Sequence, residues 1–239
     1  IRVAVNPNDR LALLLAAFNG NPAGPHCKDD PQACDSNGLD FRLDVPPLLM
    51  VEGSYKYNQK QNLAGSFKLG GWNQFGAFAH DRIGSTGMSV AMPGKLRRIV
   101  DNDWGLYGII DQLIWRLPGH EEPRGVGLFG RIIGAPSDRN IVDIYADGGV
   151  TLSGMIPTRS DDILAIGFAY TGISDNIGGV ARASEALVEV CYTMQLTKGW
   201  TLKPDFQYIW NPGGDLLNEP GTKAVANATV FGARTTISF

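Results

Sequence analysis

A chain of 239 residues with a formal net charge of -3 can bury a sizeable core but offers no basic footprint for nucleic acid. Its 30 glycines and 14 prolines exceed ordinary usage beside an ordinary 44% of apolar residues, which suits many short strands joined by turns. No apolar run reaches the roughly 18 residues of a membrane-spanning helix, which excludes a helical span and leaves a closed β-barrel possible.

The opening "IRVAVNPNDR" has neither the basic start nor the apolar core of a signal peptide, and no initiator Met. Either an export signal has been removed or the chain continues upstream. Period-2 alternation predicts strands over 1–5, 10–18 and 48–57. Between the second and third lies "HCKDDPQAC", a polar stretch rich in turn residues. Cys27 and Cys34 are read there as a disulfide, adding about 2 kcal/mol and implying an oxidising compartment. The rival is a metal site with His26 as third ligand, but the spacing fits no common zinc pattern. Cys191 stands alone inside a predicted strand.

Further strands are predicted over 63–78 and 104–117. In the second of these, Asp111 and Gln112 are adjacent, so one must leave the polar face unless a bulge resets the register, and a bulge is expected there. The remaining strands are predicted over 124–134, 141–155, 162–173, 185–196, 200–211 and 228–239. The clearest alternation is "LKPDFQYIW", with Leu202, Pro204, Phe206, Tyr208 and Trp210 on one face and Lys203, Asp205, Gln207 and Ile209 on the other. At the end of the chain, Phe231, Ala233, Thr235, Ile237 and Phe239 oppose Val230, Gly232, Arg234, Thr236 and Ser238.

The connections alternate between short and long. "NPND", "NQKQN", "LPGHEEP", "IPTRSD" and "TKG" are short, and their alternates are long except for "GAPSDRN". That rhythm predicts an outer-membrane barrel with tight periplasmic turns and longer outer loops. Trp104, Trp200, Trp210, Tyr55 and Tyr57 are then placed as interfacial girdles, and Phe239 at the periplasmic rim. The predicted strands number about eleven and the first runs toward a turn, whereas a single-chain barrel has an even number and normally starts from the periplasmic side. The expected domain is therefore one β-barrel over residues 1–239, lacking N-terminal strands that precede Ile1.

Five stretches, "FKLGGWNQFGAF", "WGLYGIIDQLIWR", "GVGLFGRIIGAPSDRNIVDIYADGGVTLSGMIPTRSDD", "QLTKGWTLKPDFQYIWNPGG" and "VFGARTTISF", together resemble the carbohydrate-selective porins of the OprB family. The resemblance implies an all-β fold, an antiparallel barrel of about sixteen strands with about five upstream of this chain. It also implies an outer-membrane location, sugar solutes, lipid contact, a C-terminal Phe239 recognised by barrel-insertion machinery, and a homotrimer as a possible assembly. No cofactor is implied.

Because charge in lipid is costly, the polar faces should point into the lumen. The expected lumen set is Glu52, Lys56, Ser66, Lys68, Trp72, Arg131, Asp143, Tyr145, Asp147, Glu189, Gln195, Lys203, Asp205, Gln207 and Arg234. Mixed charges, amides and aromatics suit a neutral polyhydroxylated solute. Arg131 with Asp143 or Asp147 can equally form an ion pair that braces the wall. Ser137, Asp138 and Arg139 in "GAPSDRN" are read as turn chemistry with a possible part in shaping the mouth. Three rivals remain: a general or anion porin, a barrel enzyme, and a soluble β-sandwich. The enzyme would want a positioned His, yet His26, His80 and His120 all fall in predicted loops or turns, His80 with Asp81 being the best pair.

Overall fold

The computed structural model describes residues 1–24, 26–27, 30–39, 42, 44–59, 63–84, 96–118, 124–175, 184–214, 217 and 221–238. Among these described residues, eleven strands form one antiparallel sheet in strict sequence order: β1 (Arg2–Val5), β2 (Leu11–Phe18), β3 (Leu48–Tyr57), β4 (Gly65–Gly84), β5 (Arg97–Arg116), β6 (Gly125–Gly134), β7 (Val142–Ser153), β8 (Ile163–Ile173), β9 (Ser184–Thr197), β10 (Trp200–Trp210) and β11 (Ala228–Ile237). β1 and β11 are its two edges and do not pair with each other among the described residues. A short helix, α1 (Pro31–Cys34), lies in the cysteine loop, where Cys27 and Cys34 are bridged with their Cα atoms 6.0 Å apart. No group of three metal-ligating side chains occurs among the described residues. His120 and Phe239 lie outside them.

Nothing among the described residues resembles a soluble core. Among the described residues the only buried apolar side chains are Ala23 and Cys191, while large apolar residues stand exposed along every strand. A sandwich needs two sheets closed on a shared interior. A single sheet with this exposure overturns that rival.

Following directly opposed residues from strand to strand separates two faces. Leu15, Val51, Leu69, Leu106, Ile132, Val150, Ile166, Val190, Phe206 and Phe231 share the apolar face. Within these ladders no Asp, Glu, Lys or Arg falls on that face. The polar face carries Glu52, Lys68, Arg131, Asp147, Glu189, Lys203 and Arg234.

Aromatic residues mark the ends of the apolar face. Tyr55, Tyr57 and Phe67 cluster at the short-turn end, and the Trp200 indole donates to the Thr235 hydroxyl at 2.8 Å. Trp210 packs edge-on to Tyr208 at the loop end.

Two expectations require correction. β4 and β5 run well past residues 78 and 104, so the intervening loop is shorter than expected, Trp104 lies inside its strand, and His80 belongs to a strand. The expected bulge is also displaced. β4 and β5 stay in register through Asp111 and Gln112, and the shift comes between Leu113 and Trp115. Asp111 therefore takes the polar face opposite Ser66. Gln112 takes the other face opposite Gly65, whose missing side chain leaves room for it, and its amide donates to the Leu113 carbonyl at 2.7 Å.

Candidate functional site

The polar face is organised by cross-strand pairs of opposite charge. On β3, β4 and β5, Lys68 Nζ stands 4.0 Å from Glu52 Oε1, and the Tyr107 hydroxyl donates to Glu52 Oε2 at 2.8 Å. On β6 and β7, Arg131 and Asp147 are direct partners: Nε donates to Oδ2 at 2.7 Å and Nη2 lies 2.6 Å from the same oxygen. The guanidinium carbon sits 5.3 Å from the Tyr145 ring centroid, a cation–π contact. On β9 and β10, Lys203 Nζ lies 3.6 Å from Glu189 Oε1, and the Gln207 amide donates to Glu189 and to Asp205 at 3.3 Å each.

These pairs are only partly covered. The Arg131 side chain is 44% exposed against 15% for Asp147, so the cation reaches outward while its partner is shielded. A carboxylate has about four lone-pair sites, so each retains accepting capacity for a further donor.

Aromatic side chains on this face lie against the wall, because glycines on neighbouring strands make room. A Cβ on Gly105 would overlap the Trp72 indole, and one on Gly70 would overlap the Tyr107 ring. Tyr107 and Phe129 were not anticipated as polar-face residues. Their spacing from Asp111 and Arg131 along alternating strands held the signal, but an aromatic between apolar neighbours reads by default as lipid-facing.

Apart from Asp143, which falls in the irregularity between Val142 and Ile144 and is not placed on this face by either ladder, the expected residues share one face without forming one cluster. Arg131, Tyr145 and Asp147 come together, as do Glu189, Lys203, Asp205 and Gln207, and as do Glu52 and Lys68. Lys56 stands opposite Ser66 nearer the short turns, Trp72 lies on Gly105, and Asp143 sits at the loop end, so Arg131 takes Asp147 as its partner. Arg234 faces Lys203 directly across the last ladder. The Gln195 side chain turns to the rim, where its amide reaches the Thr197 and Trp200 carbonyls.

Each end of the sheet is tied across strands. At the loop end, Arg139 donates to both Asp138 oxygens, at 2.7 and 3.0 Å, and to the Asp101 and Asn102 carbonyls. This fork keeps the Asp138 carboxyl below the usual carboxylate range. At the turn end, Arg124 holds Asp161 at 2.7 Å. Buried Asp162 accepts from Arg159, from the Tyr192 hydroxyl at 2.6 Å and from the Gln195 backbone N–H at 2.9 Å.

The family model described as carbohydrate-selective porin, OprB family, matches residues 1–239. Porin B of Pseudomonas aeruginosa is 26% identical over 129 residues, covering 45% of this chain and 28% of that protein. The high-pH structure of Pseudomonas putida OprB superposes with a TM-score of 0.79 at 20% identity, covering 100% of this chain and 58% of that one. Its low-pH structure gives 0.56 at 16% identity, covering 100% and 54%. The chain thus spans little more than a quarter of the curated relative and somewhat over half of the solved ones.

Proposed function

Since the chain belongs to the carbohydrate-selective porin family OprB, we propose that it forms part of the wall of an outer-membrane channel for facilitated diffusion of neutral sugars. The observation that carries this reading is the division of one sheet into two chemistries. One face has no charged residue along its ladders, as lipid contact demands, and the other holds paired charges that can trade hydrogen bonds with hydroxyls.

The two open edges would expose unpaired backbone groups in lipid, each costing several kcal/mol. Further strands closing β1 to β11 complete the proposed barrel. Assembly as a homotrimer and recognition of the C-terminal strand by insertion machinery rest on the resemblance alone.

An anion pore would concentrate Lys and Arg in the lumen. Here the ladders put Glu52, Asp103, Asp111, Asp147, Glu185, Glu189 and Asp205 on the polar face together with Arg2, Lys56, Lys68, Arg116, Arg131, Lys203 and Arg234, so neither sign is concentrated. Enzyme chemistry gains no support from His80, which is buried in the far part of β4 beside the loop bearing Asp138.

Liposome swelling with the full-length protein tests the proposal. Monosaccharides should enter much faster than organic anions of similar size; equal rates, or faster anion entry, would replace the sugar channel with a general or anion pore.

A further inference from the structure

Five residues on successive strands lie in one row across the polar face: Phe129, Gly149, Gly167, Glu189 and Gln207. The Phe129 ring is laid over β7. A Cβ on Gly149 would come 2.8 Å from its Cζ, and one on Gly167 would still lie 3.7 Å from the same atom. The ring therefore extends across the gap left by Gly149 to the edge of β8. On the far side of β8 the row continues with the Glu189 carboxylate, held by Lys203 and Gln207.

Between ring and carboxylate the wall is low. Ala165 and Ala169 flank Gly167 on the polar face of β8, so a cleft of about 350 Å³ opens there, with Phe129 on one side and Glu189 and Lys203 on the other. The backbones of β7 and β9 stand about 10 Å apart, two strand spacings. Arg131 and Asp147 border the cleft on the row toward the loops. An apolar ring face opposite a carboxylate and a cation is complementary to a saturated sugar ring, which has an apolar C–H face and a hydroxylated edge.

We propose that this cleft is a carbohydrate subsite, with Phe129 as the stacking platform and Glu189 and Lys203 as hydroxyl partners over the floor of β8. The proposal rests on the reading of the chain as part of a sugar channel and specifies where along the wall a sugar ring pauses. Contact with one aromatic ring and a few hydrogen bonds is weak enough to release the solute, as conduction requires.

The test is single-channel recording of the full-length protein in planar bilayers, with glucose and maltose titrated against the ion current. Each variant's KCl conductance shows whether a channel has formed. Phe129→Ala should raise the half-blocking sugar concentration by about threefold or more, and Phe129→Tyr, which keeps the ring, should restore it. Gly167→Leu should fill the floor and abolish block while ions still pass. If sugars block the wild-type channel and both Phe129→Ala and Gly167→Leu block equally well, the subsite is wrong and the sugar channel stands. If sugars leave the wild-type current untouched, the channel reading fails and takes the subsite with it. Should Phe129→Ala form no channel, Gly167→Leu decides alone.

Discussion

The indole of Trp72 occupies the space that a Cβ on Gly105 would need, and the Tyr107 ring stands in the same relation to Gly70. Trp72 was legible from alternation, but its partner was not, because which glycine lies beneath a ring depends on the register of two strands. Gly105→Ala should push the indole off the wall toward the lumen, lowering single-channel conductance and costing about 1–3 kcal/mol through overpacking. Bilayer recording and thermal unfolding in detergent check this; wild-type values in both would show that the ring is not held by the glycine. Asp162 offers a pH test at the same scale. Burial opposes its charge, yet hydrogen bonds from Arg159, Tyr192 and the Gln195 backbone N–H outweigh burial and bring its pKa down to about 2. The folded value lies below the unfolded 3.8, so the carboxylate's contribution is present above about pH 4 and is lost as pH falls through about 2. Hydrogen exchange should show the Gln195 amide losing protection over that interval, and Asp162→Asn should remove the pH dependence. Unchanged protection from pH 4 to 2 in the wild type would contradict the assignment.

β4 and β5 show what alternation reveals about an element and what it hides. The strands over 63–78 and 104–117 were legible, but the continuation of β4 to Gly84 and the start of β5 at Arg97 were not. Phe75 and Gly76 oppose only Asn102, which adopts a positive φ of 61°, so the period breaks although pairing resumes at Ala77 and Asp101. Arg139 from the β6–β7 connection then donates to the Asp101 and Asn102 carbonyls, and the Asp81 amide donates to the Asp138 carbonyl at 2.8 Å. Local sequence gives "GAPSDRN" as a turn, and only the fold reveals it as the anchor of a hairpin. Arg139→Lys keeps the charge but loses the planar fork, so limited proteolysis should cut within residues 79–103 several times faster than in wild type, with Arg139→Ala at least as fast. Equal cleavage in all three would remove the anchoring role. Pro204 illustrates a quieter limit: the β9–β10 ladder skips Lys203 and Pro204, as expected where a residue has no N–H to donate.

Across the whole molecule, period-2 alternation was enough to assign each strand's faces, since a slip of one residue would bring Arg131, Asp147 and Glu189 onto the apolar face. All eleven strands were therefore legible, as was their up-and-down order from the rhythm of turns and loops. Charge pairing was not. Asp143 and Asp147 are equivalent in alternation, and only the β6–β7 register brings Arg131 to Asp147. Phe129 and Tyr107 escaped because their chemistry suits either face. The central claim is that the polar face lines a channel through which sugars pass, and the most direct measurement is the ion current through the full-length protein with glucose added on one side. Reversible, concentration-dependent interruption of the current, with little dependence on the anion, is the predicted result. A current indifferent to glucose and set by the anion would contradict the account.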